Sequence, residues 1–543
     1  MSVEEKLKAQ FPDTVYTALA PPDRHPGFNY KGFHPGRVTR LPRGHVKEPG
    51  YLAFPVDVVW EEDQAIPMRD GIKLYADIFR PADESERVPA IIPWSPYGKA
   101  GTSTLNYDNM GPWRIGIPYQ NLSGYETFEE AVDIYDTISW IAEQSWCNGS
   151  VVLAGNSWLA ISQLNFASRF QHPNLKAIAP WEGLTNLYAH QICRGGIPKP
   201  AFGELILRGF AGVGKAENIG AMVKSRPLFD EYWKEKQINP EDIKDIPMYL
   251  TASYSTGLHC EGSFRAFELA QTSRKWLRVH STQEWHDLYR REATDDLQRF
   301  YDYYAKGYDG SITKTIVERP EEQWPPAQQH IRRYYLDAAT QSFSAVKPVD
   351  SASIAHEGHS LTASSDFTLT FDKYTELCGR PFVKLYMSSN VKDDFDVVVQ
   401  IRKVSVCGEL LESLNWSPMP APGPKVPNVN VVKHLGQQGM LRASHHVSLQ
   451  PRASEDDVPV YDHRSREAIT PGEIVPLLIP IWPLGVVFEA GEGLMLRISG
   501  HDMSLPEAES LRLTAPVDDN EGQHTVYTGG EYESYLAIPV IKG

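Results

Sequence analysis

A serine two residues after a glycine is unremarkable by itself; the surroundings of Ser157 give it a role. The apolar run Val151-Val-Leu-Ala154 ends in Gly155-Asn156-Ser157. From Trp158 to Ser168 the residues Ala160, Leu164 and Ala167 fall at helical spacing. Strand, tight turn with a serine at its apex, helix: this is the setting of a nucleophile elbow, in which the alcohol is presented to a substrate carbonyl. Such a turn needs a small residue two places before the serine, and Gly155 supplies it. The usual second glycine is replaced by Leu159, with small Ala160 one place later. The competing reading is a plain strand-to-helix turn. A working nucleophile also needs a base, an acid to orient that base, and two donors for the developing oxyanion.

Those groups have to be held by a sheet, and the chain reads as one. Val56–Trp60 and Ile72–Phe79 alternate apolar and polar residues around an Asp70-Gly71 turn, a hairpin. Val88–Pro93 reads as a buried strand, Phe128–Gln144 as an amphipathic helix, and Leu175–Pro180 as a further strand. Ile246–Tyr254, a helix over Gly262–Leu269, the strand Trp276–His280 and a closing helix over Asp295–Tyr304 follow. Strands alternating with helices predict a parallel α/β sheet over residues 53–320, with 184–245 as a cap inserted between strands. Residues 1–52, rich in Pro, Gly and basic side chains, read as an N-terminal arm packed over another domain. From about 330 to 543 the pattern is short strands without helices, an all-β sandwich or jelly roll.

With 543 residues the chain is too long for one core. Its hydrophobic content of 41% and charged content of 22% are those of an ordinary globular protein. A net charge of -16 argues against nucleic acid or an anionic membrane surface as partner. No secretory leader or bilayer-spanning run is apparent, and five scattered cysteines suit reduced thiols, so a cytoplasmic location is expected. No cofactor and no metal are expected. His445-His446 lacks a third ligand at a suitable spacing, and Gly195-Gly196 and Gly529-Gly530 read as turns. The expected partner is a small-molecule ester or amide substrate, with self-association left open.

Several stretches together resemble a known family. Met68-Arg-Asp-Gly71 with Leu74–Pro81, Ser95-Pro-Tyr-Gly98, Trp140–Gly149, Gly155–Ala160, and Val487–Glu492 followed by Leu496–Asp502 are similar to cocaine-esterase-like hydrolases and X-Pro dipeptidyl-peptidases. The resemblance runs from about residue 55 to the end. It implies an α/β-hydrolase domain with a helical cap, followed by a jelly-roll domain, acting on ester or amide acyl groups. It also implies Ser157 as nucleophile and the Tyr97 hydroxyl as one oxyanion donor, with the Trp158 main-chain N–H as the second.

The sequence departs from the family pattern in two places. The family aspartate falls on Thr256 and the family histidine on Glu284, while His259 stands three residues beyond Thr256. One reading exchanges the roles between loops, with His259 as base and Glu284 as the acid, since a triad is defined by geometry rather than chain order. The rival makes His286 the base, with Asp287 or Glu261 as its acid. His280 reads as a strand-capping residue. Second, a family strand is missing near 129–131, where Gly124–Glu129 runs directly into Glu130–Tyr135. That loss leaves open sheet edges; a skipped exon is the favoured explanation, against a true variant or a non-catalytic derivative acting as a binding or scaffold protein. Glu129-Glu130 reads as helix-start charge, and Trp94, Trp113, Trp181 and Tyr188 as acyl-pocket or core residues.

Overall fold

The computed structural model describes residues 8–25, 32–46, 53–96, 128–281, 291–308, 320–411, 435–502 and 520–542. The N-terminal segment packs on the rest of the chain through short strands. Its short strands β1 (Tyr16–Ala18) and β2 (Val38–Leu41) join other elements, β2 adding antiparallel to β3 (Val58–Pro67), which forms a hairpin with β4 (Lys73–Pro81). Strands of three or four residues carry too little periodicity to be seen in sequence.

β5 (Val88–Ile92), helix α1 (Phe128–Ala142), β6 (Cys147–Asn156), α2 (Trp158–Arg169) and β7 (Leu175–Trp181) follow in order. Between β7 and the next sheet strand lie β8 (Cys193–Arg194), β9 (Ile197–Pro198), α3 (Pro200–Gly209), β10 (Lys215–Glu217), α4 (Ile219–Ser225) and α5 (Glu231–Glu235). β1 pairs antiparallel with β10, tying the N-terminal segment to this insertion. Then come β11 (Met248–Ser253), α6 (Cys260–Leu269), β12 (Lys275–His280) and α7 (Arg291–Tyr301).

The five-stranded sheet has the order β12-β11-β7-β6-β5 with every pairing parallel. A parallel sheet is covered on both faces, so its strands are apolar throughout rather than alternating. β6 shows this: Val151, Val152 and Leu153 are all fully buried. Val151 and Leu153 pack with Ala131, Ile134 and Ile138 of α1, whereas Val152 packs on the other face with Phe300 and Tyr301 of α7. Each such side chain contributes about 1.5–3 kcal/mol by leaving water. The hairpin β3–β4 with β2 forms a separate three-stranded sheet; among the described residues nothing pairs with β4 on its far side or with the outer edge of β5.

The described residues between 329 and 541 form a mainly antiparallel β-domain whose core includes Phe367, Phe395, Leu385, Leu477 and Leu496. It docks closely on the α/β part. Arg442 N–H donates to Gly195 O at 2.7 Å. A Cβ on Gly195 would lie 2.0 Å from Met440 O, so only glycine permits that approach. Arg380 donates to Glu261 and Glu268 of α6, each at 2.7 Å. No described helix is long and apolar enough to cross a membrane.

Candidate active site

Ser157 has φ 58° and ψ -123°, a conformation that non-glycine residues rarely adopt and that projects its side chain from the turn. The need for Gly155 is visible: it has φ 122°, and an added Cβ would lie 2.4 Å from Leu159 Cδ2. Small Ala160 also has a reason. The turn after β7 approaches it so closely that a Cβ on Gly183 would sit 3.2 Å from the Ala160 Cβ. Ser157 N–H donates to Trp181 O and Glu182 O, each at 3.1 Å. Gln163 of α2 braces the same corner, donating to Leu159 O at 2.8 Å and accepting from Ala179 N–H at 2.8 Å.

His259 stands immediately before α6, on the loop leaving β11, and its Nε2 lies 3.1 Å from Ser157 Oγ. The structure thus brings these two sequence-predicted residues together. Burial pushes the His259 imidazole down to about 3, with Arg194 adding in the same direction. Its neutral, proton-accepting form therefore prevails at neutral pH. Arg194 is a site residue that the sequence did not reveal. It comes from the insertion between β7 and β11, donates to His190 O at 2.7 Å and to Gly257 O, and stacks on Trp482 of the β-domain at 4.6 Å. By gripping Gly257 it fixes the loop that carries His259.

Trp158 opens α2, where N–H groups of the first turn have no acceptor within the helix. Its main-chain N–H is thus placed beside the nucleophile, as an oxyanion donor requires. Its indole is held by Glu130 Oε1, which accepts from Nε1 at 3.1 Å, and by an edge contact with Phe210 at 5.7 Å. Glu130 is therefore not a solvated helix-start charge; burial pushes its carboxyl up to about 7 against the hydrogen bonds from Trp158, Trp94 and Asn165. The structure corrects the sequence reading there, because the helix turns that carboxylate inward under the elbow.

Tyr97, Glu284, His286 and Asp287 lie outside the described residues. Glu261, the other acid weighed for His286, is engaged elsewhere. Burial raises its carboxyl, but Arg380 and Arg265 outweigh that and hold it at about 2. Thr256, at the family's aspartate position, is buried and its C=O accepts Cys260 N–H at 3.0 Å. His280 ends β12, as expected, and its Nε2 lies 2.6 Å from Glu182 Oε1.

Beside Ser157 and His259 is a cavity of about 30 Å³ walled by Trp158, Ile161, Leu187, Ile192, Phe202 and Ile206, with Gln191 as a polar member. A space of that size holds roughly two or three water-sized groups. None of Trp94, Trp181 and Tyr188 lines it; Trp181 and Tyr188 are buried core, and Tyr188 donates to Pro227 O at 2.7 Å. Trp113 lies outside the described residues. His445 faces His463, Nδ1 to Nδ1 at 3.1 Å, and no group of three or more His, Cys, Asp or Glu among the described residues is placed to hold a metal.

Comparison with known proteins places the chain among related sequences and structures. Residues 106–208 match the X-Pro dipeptidyl-peptidase (S15 family), and residues 296–537 match the X-Pro dipeptidyl-peptidase C-terminal non-catalytic domain. Cocaine esterase of a Rhodococcus strain is 33% identical over 136 residues, a match spanning 23% of each chain. A CocE/NonD family hydrolase from Staphylococcus aureus superposes with a TM-score of 0.81 at 26% identity, covering 97% of this chain and 99% of that one. An α-amino acid ester hydrolase shares the fold at a TM-score of 0.63 and 15% identity, over 89% of this chain and 96% of that one. The chain belongs to the cocaine-esterase-like and X-Pro dipeptidyl-peptidase-like family of serine hydrolases.

Proposed function

We propose that this protein is a cytoplasmic serine hydrolase that cleaves an ester or amide of a small apolar acyl group through an acyl-enzyme at Ser157. The observation that carries this reading is the 3.1 Å approach of His259 Nε2 to the Oγ of a serine held at φ 58°. Ser157 Oγ attacks the substrate carbonyl while His259 Nε2 takes its proton. The Trp158 N–H and the Tyr97 hydroxyl hold the oxyanion, and Glu284 orients the imidazolium. The tetrahedral adduct collapses as His259 returns that proton to the departing alcohol or amine. A water molecule, deprotonated by His259, then attacks the acyl-serine carbonyl and releases the acid.

The insertion between β7 and β11 acts as a helical cap, since Leu187, Ile192, Phe202 and Ile206 close the acyl pocket. The cavity of about 30 Å³ favours acetyl- or propionyl-sized groups. The β-domain is a jelly roll that packs against this cap. The separation of β4 from β5 is where the strand absent near 129–131 would lie, and a skipped exon accounts for it. Sequencing transcripts across the codons for Glu129 and Glu130 tests that point.

The function is tested by reacting the purified protein with a fluorophosphonate and following hydrolysis of p-nitrophenyl acetate. The expected result is an adduct on Ser157 and ester turnover that Ser157→Ala removes. A folded protein that takes no adduct would instead be a binding or scaffold relative.

A further inference from the structure

We infer that Glu182 and His280 form a positioning couple that sets the main chain of the nucleophile, an inference that rests on Ser157 being that nucleophile. Ser157 is not the only strained residue at this corner: Glu182, the first residue after β7, has φ 54°. Residues held in such conformations persist only where their surroundings over-determine them. For Ser157 the surroundings include the Glu182 carbonyl, which accepts Ser157 N–H at 3.1 Å. The direction of that carbonyl is set by the conformation of Glu182 itself.

What holds Glu182 comes from three other elements. Its N–H donates to Thr251 O of β11 at 3.0 Å. Its carboxylate meets His280 Nε2 at the end of β12 at 2.6 Å, with the two side chains 0% and 1% exposed. The next residue, Gly183, donates to Ser263 Oγ of α6 at 3.0 Å. Gly262 of the same helix lies against Leu184 so tightly that a Cβ would fall 2.4 Å from the Leu184 Cα. The turn 182–184 is therefore the junction at which the elbow, β11, β12 and the helix that follows His259 are fixed relative to one another.

A carboxylate is an expensive group to bury and is retained only with a partner. Here the group against it is the His280 imidazole, with Nε2 2.6 Å from Oε1, and together they aim a main-chain carbonyl at the serine N–H. Neither residue lines the acyl cavity, so both are positioning residues. Releasing the couple lets Glu182 rotate, frees Ser157 to relax, and moves Oγ away from His259 and the oxyanion donors. Displacements of about 1 Å at a reacting atom lower rates by about 100-fold.

The test compares wild type with Glu182→Gln, His280→Gln and the double variant, each normalised to active sites titrated with a fluorophosphonate and assayed on p-nitrophenyl acetate well below its own melting transition. The expected result is a fall in kcat of about 10–100-fold with KM within about twofold, and a double variant no slower than the poorer single one. A residue serving only general stability would lower the melting temperature and leave kcat per titrated site unchanged. Wild-type kcat in Glu182→Gln, a raised KM with intact kcat, or losses that multiply in the double variant would each overturn the couple. Should Glu182→Gln fail to fold, His280→Asn is read by the same criteria. A wild type that takes no label at Ser157 overturns the hydrolase reading and the couple with it; a labelled wild type beside a full-rate Glu182→Gln overturns the couple alone.

Discussion

The two flanks of β6 differ in how many buried carboxyls are raised by desolvation. On the flank of β7, β11 and β12, acids meet bases: Glu182 faces His280, and Glu261 is held by Arg380 and Arg265. On the flank of β4, β5 and α1, carboxyls are pushed up by burial. Asp77 of β4 is raised to about 6, first by desolvation and then by Glu62. Asp133 of α1 is raised to about 7 by desolvation and by the like charges of Asp70, Asp136, Glu130 and Glu129, and Glu130 also reaches about 7. The first flank is a continuous ladder of parallel strands; the second contains the separation between β4 and β5. Where strands pair without interruption, their C-terminal ends assemble compensated charge around the serine. Where the sheet divides, Asp77, Glu130 and Asp133 are raised by burial beside the arginine-paired Glu61, Glu62 and Asp136.

This contrast can be broken or sharpened by experiment. The largest effect is expected at His259: replacing it with alanine should slow acylation about 10⁴-fold or more, as loss of a triad base does, while His286→Ala stays near wild type. The reverse pattern in esterase kinetics would move the base into the other loop. Because burial holds the His259 imidazole near 3, the acid limb of kcat/KM should fall well below pH 6.5. Next, Gly155→Ala places a methyl against Leu159 and should reduce the fluorophosphonate labelling rate about 10–100-fold.

A smaller effect is expected on the other flank, and its sign follows from proton linkage. A carboxyl raised from its ordinary value to about 7 binds more protons folded than unfolded between about pH 4 and 7. Stability from Asp133 is therefore lost as pH rises through that window. Allowing for partial exposure, Asp133→Asn should gain on the order of 1–2 kcal/mol at pH 8 and nothing at pH 4, measured by denaturant unfolding. His259 acts oppositely: depressed when folded, it contributes stability that is complete above about pH 6.5 and lost as pH falls toward 3. The smallest change is expected where the flanks touch. Glu130→Gln weakens the hold on the Trp158 indole and should lower kcat/KM roughly 2–10-fold, the worth of one hydrogen bond.

Much of the scaffold was readable in the residues. The strand, turn and helix around Ser157 followed from an apolar run, a glycine and a helical repeat, and the observed bounds differ from that reading by a few residues. His259 was recoverable from the resemblance, since it stands three residues beyond Thr256, where the family carries its aspartate. The Glu182–His280 pair was not, because the ends of β7 and β12 lie far apart in the chain and meet only through sheet order. Arg194 escaped for the same reason: its acceptors and its stacking partner come from separate segments. The inward turn of Glu130 was hidden because a carboxylate opening a helix usually faces water. The cavity beside Ser157 is a property of how the insertion folds over the elbow, which no local pattern encodes.

Arg194 has a consequence for the architecture as a whole. Its guanidinium touches the loop of the base on one side and Trp482 of the C-terminal domain on the other. The C-terminal domain, which matches the family's non-catalytic model, thus contacts the arginine that holds the loop bearing His259. The border near residue 320 divides the sequence without dividing the machine. A chain truncated there would keep its serine and its histidine and lose the fixed distance between them, and a graft of a foreign C-terminal domain would succeed only if it brought its own tryptophan to the same spot.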